Sequence, residues 1–167
     1  MVICSCDPDC TTPAFAVFNG PRLLMWKLLE IGKYESFARS FPAIEAIVRD
    51  WKPKMLVIEN QYLPSGPEGD IRFRAVSELV AARAMITAVF LITDSSIGCR
   101  LVEPLTWQRS LGGSGLGRER LKRRSILKAS GIAGVRIEDH NVADAINMGH
   151  WFVTINRLTG KTDKRVG

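Results

Sequence analysis

The sequence predicts a single α/β domain in which a mixed central β-sheet is flanked by α-helices. Strand-like apolar runs dominate the first part of the chain, and helical periodicities alternate with further strand-like runs later. The chain shows no internal repeat and no interdomain linker, and its 167 residues suit one ordinary core. We assign residues 1–156 to the domain and residues 157–167 to a basic, flexible C-terminal tail.

The first part of the chain predicts four strands and one helix. A helix is expected over residues 36–50, with Pro42 breaking it or delaying its start. The turn residues Asn19, Gly20 and Pro21 separate the second strand from the third, as in a hairpin. The four strands are VICSCD, AFAVFNG, RLLMWKLLEIG and PKMLVIE.

The remainder of the chain predicts three helices and one strand. After a loop over residues 64–69, a long helix begins with Asp70 as its N-cap. The strand CRLVEP follows, and the glycine-rich loop GGSGLG leads into the basic helix RERLKRRSILKAS, with Gly131 as its C-cap. The final helix begins near His140 and includes NVADAINMGHWFV.

Charge and composition favour a cytoplasmic protein with an anionic partner. The net charge of +6 and the pI near 9.4 favour nucleic acid first and an acidic membrane surface second. The amino terminus does not resemble a secretory signal, and the apolar stretch LVAARAMITAVFLI is interrupted by Arg83 and is expected to be too short to span a bilayer. The four cysteines lack the paired spacing of a zinc site, so reduced thiols are expected.

Three carboxylates occupy positions that suit a metal site. Asp7 and Glu59 each end a strand-like run, and Asp144 lies on the last helix, on the same stripe as His140. One such acid alone is more often a cap or an ion-pair partner. Three acids that converge in a basic chain repel one another unless a cation neutralises them, which favours Mg²⁺ or Mn²⁺ and two-metal phosphodiester cleavage.

The same residues resemble a known family. The segments VICSCDPDCTTPAFAVF, PKMLVIENQYL and DHNVADAINMGHW are similar to the three acidic motifs of the RuvC Holliday junction resolvases, which have an RNase H-like fold. The glycine of the family's Asp-Pro-Gly is Asp9 here, and the divergence suggests a phage-encoded member. The resemblance implies a homodimer that binds four-way DNA junctions and makes paired nicks with Mg²⁺, in recombination and repair.

The resemblance also implies roles for individual residues near the acids. Asp7, Glu59 and Asp144 match the family's metal ligands. The family places an acid or histidine three residues before the last aspartate, where this chain has Asn141, and we predict that the neighbouring His140 acts as fourth ligand or proton carrier. Tyr62 occupies the position of an aromatic residue that the family stacks at the junction centre.

DNA contacts are expected in the loop and helix that follow the last strand. The family has a lysine before a glycine-containing loop and further basic residues on the helix after it. By this match the expected DNA-binding residues are Arg109, Arg118, Arg120, Lys122 and Arg123. The long helix from Asp70 corresponds to the family's dimerising element.

Two other functions remain open at this point. An RNase H-like nuclease that cuts RNA or an RNA–DNA hybrid would keep the fold and change the substrate. A catalytically idle DNA-binding protein would use the basic helix alone, although the intact set of acids argues against it.

Overall fold

A five-stranded mixed sheet forms the centre of the computed structural model, which describes residues 1–30, 37–60, 69–112 and 117–162. The strands run in the spatial order β3-β2-β1-β4-β5, with β1, β2 and β3 antiparallel and β4 and β5 parallel to β1. This confirms the predicted mixed sheet. The strands are β1 (Val2–Asp7), β2 (Ala14–Asn19), β3 (Arg22–Leu28), β4 (Met55–Glu59) and β5 (Gly98–Val102).

Helices cover both faces of the sheet. Helices α1 and α2 pack on one face, and α5 packs on the other, where α3 and α4 contact it in turn. A 3₁₀ turn, Arg109–Leu111, follows α3 directly. The helices are α1 (Phe37–Trp51), α2 (Gly69–Thr93), α3 (Pro104–Gln108), α4 (Arg118–Ala133) and α5 (His140–Thr162).

Alternation along β1 divides the core into two layers. Cys4 and Cys6 point into the layer under α1 and α2, whereas Ile3 packs with the residues of α5. All four cysteines of the chain are free thiols, as predicted, and burial raises the pKa of Cys6 well above the usual thiol range. Cys4 and Cys6 are therefore small core side chains.

Close contact between α5 and the sheet depends on Ser5 and Gly149. The Ser5 hydroxyl donates hydrogen bonds to the carbonyls of Ala145 and Ala16, at 2.7 and 3.2 Å. A Cβ atom at Gly149 would collide with the Ser5 hydroxyl and the Phe18 ring. Glycine at this position therefore lets α5 lie directly on β1 and β2, which places its first turns at the edge of the sheet.

The parallel pairing of β1 with β4 brings two acids to one edge. Cys6 lies opposite Ile58, and the next residues along the two strands are Asp7 and Glu59. Because parallel strands end at the same edge, both carboxylates are delivered to one place, as the sequence predicted.

The predicted interruption at Pro42 is wrong. Helix α1 runs without a break from Phe37 through this proline, which is its sixth residue. A proline so close to the start of a helix removes a single backbone hydrogen bond, the one to the carbonyl of residue 38, so the cost is small enough for packing to offset.

Three element ends also differ from expectation. Helix α4 ends at Ala133, and its C-cap is Gly134, which has a φ of +69° and donates its amide to the Ser130 carbonyl, so Gly131 is not the C-cap. Helix α2 begins at Gly69, so Asp70 lies in its first turn and not at the N-cap. Helix α5 continues to Thr162, beyond the predicted helical segment NVADAINMGHWFV.

Helix α2 contains a long apolar stretch. The 18 residues Val76–Thr93 have a mean hydropathy of 1.7, so by length and composition alone they could cross a membrane. Ala82, Ile86 and Phe90 pack into the layer beneath the sheet, together with α1. The helix is therefore an element of the folded domain with a second, uncovered apolar side.

Candidate active site

A cleft of about 250 Å³ opens at the edge of the sheet where β1 ends. Its walls come from the start of α5, the inner side of α4 and the short helix α3. Three aspartates line it, together with two cations at the start of α4. These residues are Asp7, Asp9, Asp144, Arg118 and Lys122.

Burial and neighbouring negative charges both disfavour the ionised form of Asp7. Burial raises the pKa of this carboxyl well above its usual range, and the negative charges of Glu59 and Asp144 raise it further. Glu59 and Asp144, two of the acids that the sequence singled out, are therefore both within electrostatic range of the third, Asp7.

Glu59 is held by a tryptophan that the sequence did not identify. The indole Nε1–H of Trp107 donates a hydrogen bond of 2.8 Å to Glu59 Oε2. Glu59 is only 9% exposed and Trp107 is 1% exposed, so the bond is shielded from water. A hydrogen bond to a charged group contributes about 1.5–3 kcal/mol, and here it satisfies a buried acid at the end of β4.

Asp144 has its own neutral donor on α4. The Ser125 hydroxyl donates a short hydrogen bond to Asp144 Oδ1 and accepts one of 2.9 Å from Asn147 Nδ2. Burial raises the pKa of Asp144, while the Ser125 bond and the charges of His140 and Lys122 act in the opposite direction. Helix α4 is thus linked directly to a predicted metal ligand.

Asp9 organises the loop between β1 and β2. Its Oδ1 accepts hydrogen bonds of 2.8 Å from the backbone amides of Thr11 and Thr12, and the hydroxyls of both threonines donate to the same atom. Burial raises the pKa of Asp9, but these four bonds outweigh it and the net shift is downward. Within the described part of the chain, Lys52 is the one non-glycine residue with positive φ, so the backbone of this loop does not require a glycine at residue 9.

His140 and Asn141 have different environments at the start of α5. Asn141 is buried, and its Nδ2 donates hydrogen bonds of 3.1 Å to the carbonyl and the hydroxyl of Thr12. His140 lines the cleft one turn before Asp144 and acts on its pKa. The asparagine side chain therefore ties α5 to the loop, while the histidine lies beside the acid.

The predicted DNA-binding cations divide into two groups. Arg118 and Lys122 line the cleft, whereas Arg109, Arg120 and Arg123 are exposed. The basic charge of α4 includes two further cations that bind backbone carbonyls in the segment after α3. Arg124 donates to the Gly112 carbonyl at 2.6 Å and Lys128 to the Ser110 carbonyl at 2.8 Å, so both have a structural task.

Two parts of the predicted site lie outside the described residues. Tyr62 belongs to the segment 61–68, and the centre of the glycine-rich loop is the segment 113–116. In the described ranges, no three Asp, Glu, His or Cys side chains are close enough together to form a preassembled metal-ligand cluster. The donor set of three carboxylates and one imidazole nevertheless fits a hard divalent cation in its chemistry.

Comparison with known proteins identifies the fold. No protein-family model and no curated protein sequence matches the chain. Among solved structures, RuvC of Thermus thermophilus in complex with a Holliday junction substrate has a TM-score of 0.70 at 16% identity, covering 95% of this chain and 96% of that one.

Two further resolvases give lower scores over similar lengths. The fowlpox virus Holliday junction resolvase has a TM-score of 0.56 at 19% identity, covering 93% of this chain and 99% of its own. The yeast mitochondrial resolvase Ydc2 has a TM-score of 0.51 at 11% identity, covering 96% of this chain and 85% of its own. The chain therefore has the RuvC-type, RNase H-like fold that the acidic motifs predicted.

Proposed function

We propose that this protein is a structure-selective endonuclease that resolves four-way DNA junctions by paired, metal-dependent phosphodiester cleavage. One observation carries the proposal: Glu59 and Asp144 both lie within electrostatic range of Asp7, at a cleft that Arg118 and Lys122 line. The fold shared with three junction resolvases supports it. We place the enzyme in the cytoplasm of a bacterial or phage-infected cell, in DNA recombination and repair.

In this proposal Asp7, Glu59 and Asp144 hold Mg²⁺, which Mn²⁺ can replace. The chemistry supplied by two bound divalent ions is activation of a water molecule and stabilisation of the leaving oxygen. His140 is the fourth ligand or carries a proton, since it lies in the cleft while the Asn141 amide bonds Thr12.

The DNA backbone would approach the cleft from the side of α4. Because Arg118 and Lys122 line the cleft, they are proposed to bind a phosphate next to the scissile bond, and the exposed Arg109, Arg120 and Arg123 extend the basic surface. Tyr62, in the segment after Glu59, is proposed to stack on an unpaired base at the junction centre.

Paired cleavage requires two active sites, so we propose a homodimer formed through α2. Only 22% of the apolar stretch Val76–Thr93 of this helix is buried within the chain. Near its end, Ile92 is 85% exposed and Leu91 is 39% exposed. An uncovered apolar surface of this kind is typical of an interface between subunits.

Asp7→Asn is expected to abolish junction cleavage while leaving junction binding intact or stronger, because it removes a ligand and a negative charge near phosphate. The measurement is cleavage of a labelled synthetic four-way junction with Mg²⁺ or Mn²⁺, with the nicks mapped on each strand. Binding of the same junction in Ca²⁺ or EDTA provides the matched control.

A four-way junction and an RNA–DNA hybrid tested in the same gel distinguish the proposed function from the two alternatives. Preferential cutting of an RNA–DNA hybrid by the wild type would favour the RNase H-like activity, and binding without any cutting would favour the idle DNA-binding protein. An Asp7→Asn variant that nicks junctions at the wild-type rate would overturn the assignment of the metal ligands.

His140→Ala is expected to lower the cleavage rate by about 100-fold or more if the imidazole binds metal or carries a proton. Asn141→Ala should cost less in rate at saturating metal and more in thermal stability, because it breaks the bonds to Thr12. Single-turnover rates and melting temperatures of both variants test this ranking. The reverse ranking of rates would move the role to Asn141.

Neutralising Arg118, Lys122 and Arg123 to glutamine is expected to weaken junction binding and flatten its salt dependence. The log–log slope should fall by roughly one unit for each phosphate that the variant no longer neutralises. Junction affinity measured between low and moderate salt gives this slope. A control variant of equal net charge replaces three exposed arginines elsewhere, Arg22, Arg49 and Arg136, and if both variants had the wild-type slope the DNA would lie on another face.

Ile92→Glu is expected to convert the proposed dimer to a monomer, because a charge within an apolar interface is desolvated without a partner. Light scattering coupled to size exclusion measures the mass at several concentrations. Val135→Glu, at a position 51% exposed after α4, is the matched control and should remain dimeric. Equal masses for wild type and Ile92→Glu would exclude this side of α2 as the interface.

A further inference from the structure

Trp107 and Glu59 form a buried pair at the end of β4. The indole donates to Glu59 Oε2 at 2.8 Å, and the tryptophan is 1% exposed. We propose that Trp107 is a positioning residue that fixes the carboxylate of Glu59 for binding a divalent ion. This inference rests on the proposed function, because it takes Glu59 as a metal ligand.

The segment that carries Trp107 is anchored at its start to the residue next to Glu59. Asn60 donates its backbone amide to the Val102 carbonyl at 2.8 Å and its side-chain amide to Glu103 Oε1 at 2.6 Å. Glu103 is the N-cap residue of α3. The start of α3 is therefore fixed relative to the strand end that holds Glu59.

The same segment is anchored at its other end by α4. Arg124 and Lys128 donate to the carbonyls of Gly112 and Ser110, at the end of the 3₁₀ turn that follows α3. With both ends fixed, the indole cannot move far without breaking several bonds. A rigid donor of this kind holds a carboxylate in one orientation, which is what a metal ligand needs.

An indole suits this task for a chemical reason. It offers one N–H donor, no acceptor and no charge, so it orients the carboxylate without neutralising it. A lysine or arginine in the same place would compete with a cation for the negative charge. Ser125 holds Asp144 in the same manner, again through a neutral donor.

The first test is Mn²⁺ binding by calorimetry with the full chain, without DNA. Trp107→Phe keeps most of the ring and removes the N–H, and we expect Mn²⁺ affinity to fall about 10- to 100-fold. Trp26→Phe, at a tryptophan 39% exposed on β3, is the control and should bind as the wild type does. Circular dichroism and melting temperature check the fold of both variants.

A double-mutant cycle separates positioning from a general structural effect. If Trp107 acts through Glu59, adding Trp107→Phe to Glu59→Gln should cause no further loss of Mn²⁺ affinity. Added to Asp144→Asn, it should lower the affinity by the same factor as in the wild type. Equal losses in both backgrounds would assign Trp107 to packing alone.

A measurement on the wild type keeps the inference testable if Trp107→Phe does not fold. The chain has four tryptophans, so a nitrogen-15 spectrum shows four indole N–H signals. We expect the Trp107 signal to broaden at the lowest Mn²⁺ concentration and to shift in Glu59→Gln. If no indole signal responded, the positioning role would be overturned.

The inference and the proposed function fail in different ways. Suppose that the wild type cuts junctions and a folded Trp107→Phe variant binds Mn²⁺ as tightly as the wild type or more tightly. This result would overturn the positioning role alone. If Mn²⁺ binding depended on Trp107 but the wild type cut no junction, the proposed function alone would be overturned.

Discussion

The rest of the structure depends on the burial of like charges at one edge of the sheet. Because β1 and β4 are parallel neighbours, Asp7 and Glu59 end their strands side by side, and Asp144 of α5 lies within electrostatic range. Two or three carboxylates taken out of water together are unfavourable unless donors or cations surround them. The elements packed around this edge supply both, and their arrangement follows from that need.

Donors and cations occupy different depths. Neutral donors, Trp107 and Ser125, contact the buried acids directly, while Arg118 and Lys122 line the cleft near the solvent. The bonds from Trp107 and Ser125 therefore bring no positive charge to the acids, and the positive charge of Arg118 and Lys122 remains available to phosphate. Helix α4 contributes to both groups, because it carries the cleft cations and the Ser125 hydroxyl. It also carries Arg124 and Lys128, which fix the segment of Trp107.

Features coded by local sequence were predictable, and features made by tertiary contact were not. Strands ending in Asp7 and Glu59, and a last helix starting at His140, follow from apolar runs and periodicity. The bond between Trp107 and Glu59 joins residues 48 positions apart through a five-residue helix that no periodicity reveals. Likewise, sequence cannot separate Arg124 and Lys128, which bind carbonyls, from cations that face the solvent.

The hydrogen bonds of Asp9 explain why His140 and Asn141 have different environments at the start of α5. The Asp9 carboxylate fixes the loop after β1 through four hydrogen bonds from the backbone amides and hydroxyls of Thr11 and Thr12. Thr12, held in this way, accepts both bonds from the Asn141 amide. Asn141 is thereby committed to joining the loop to α5, and His140 from the same turn lies beside the acids. The Asp9 carboxylate also raises the pKa of Asp7 further, so the bonds that order the loop bring a second acid close to Asp7, and a bound cation would relieve the repulsion between them.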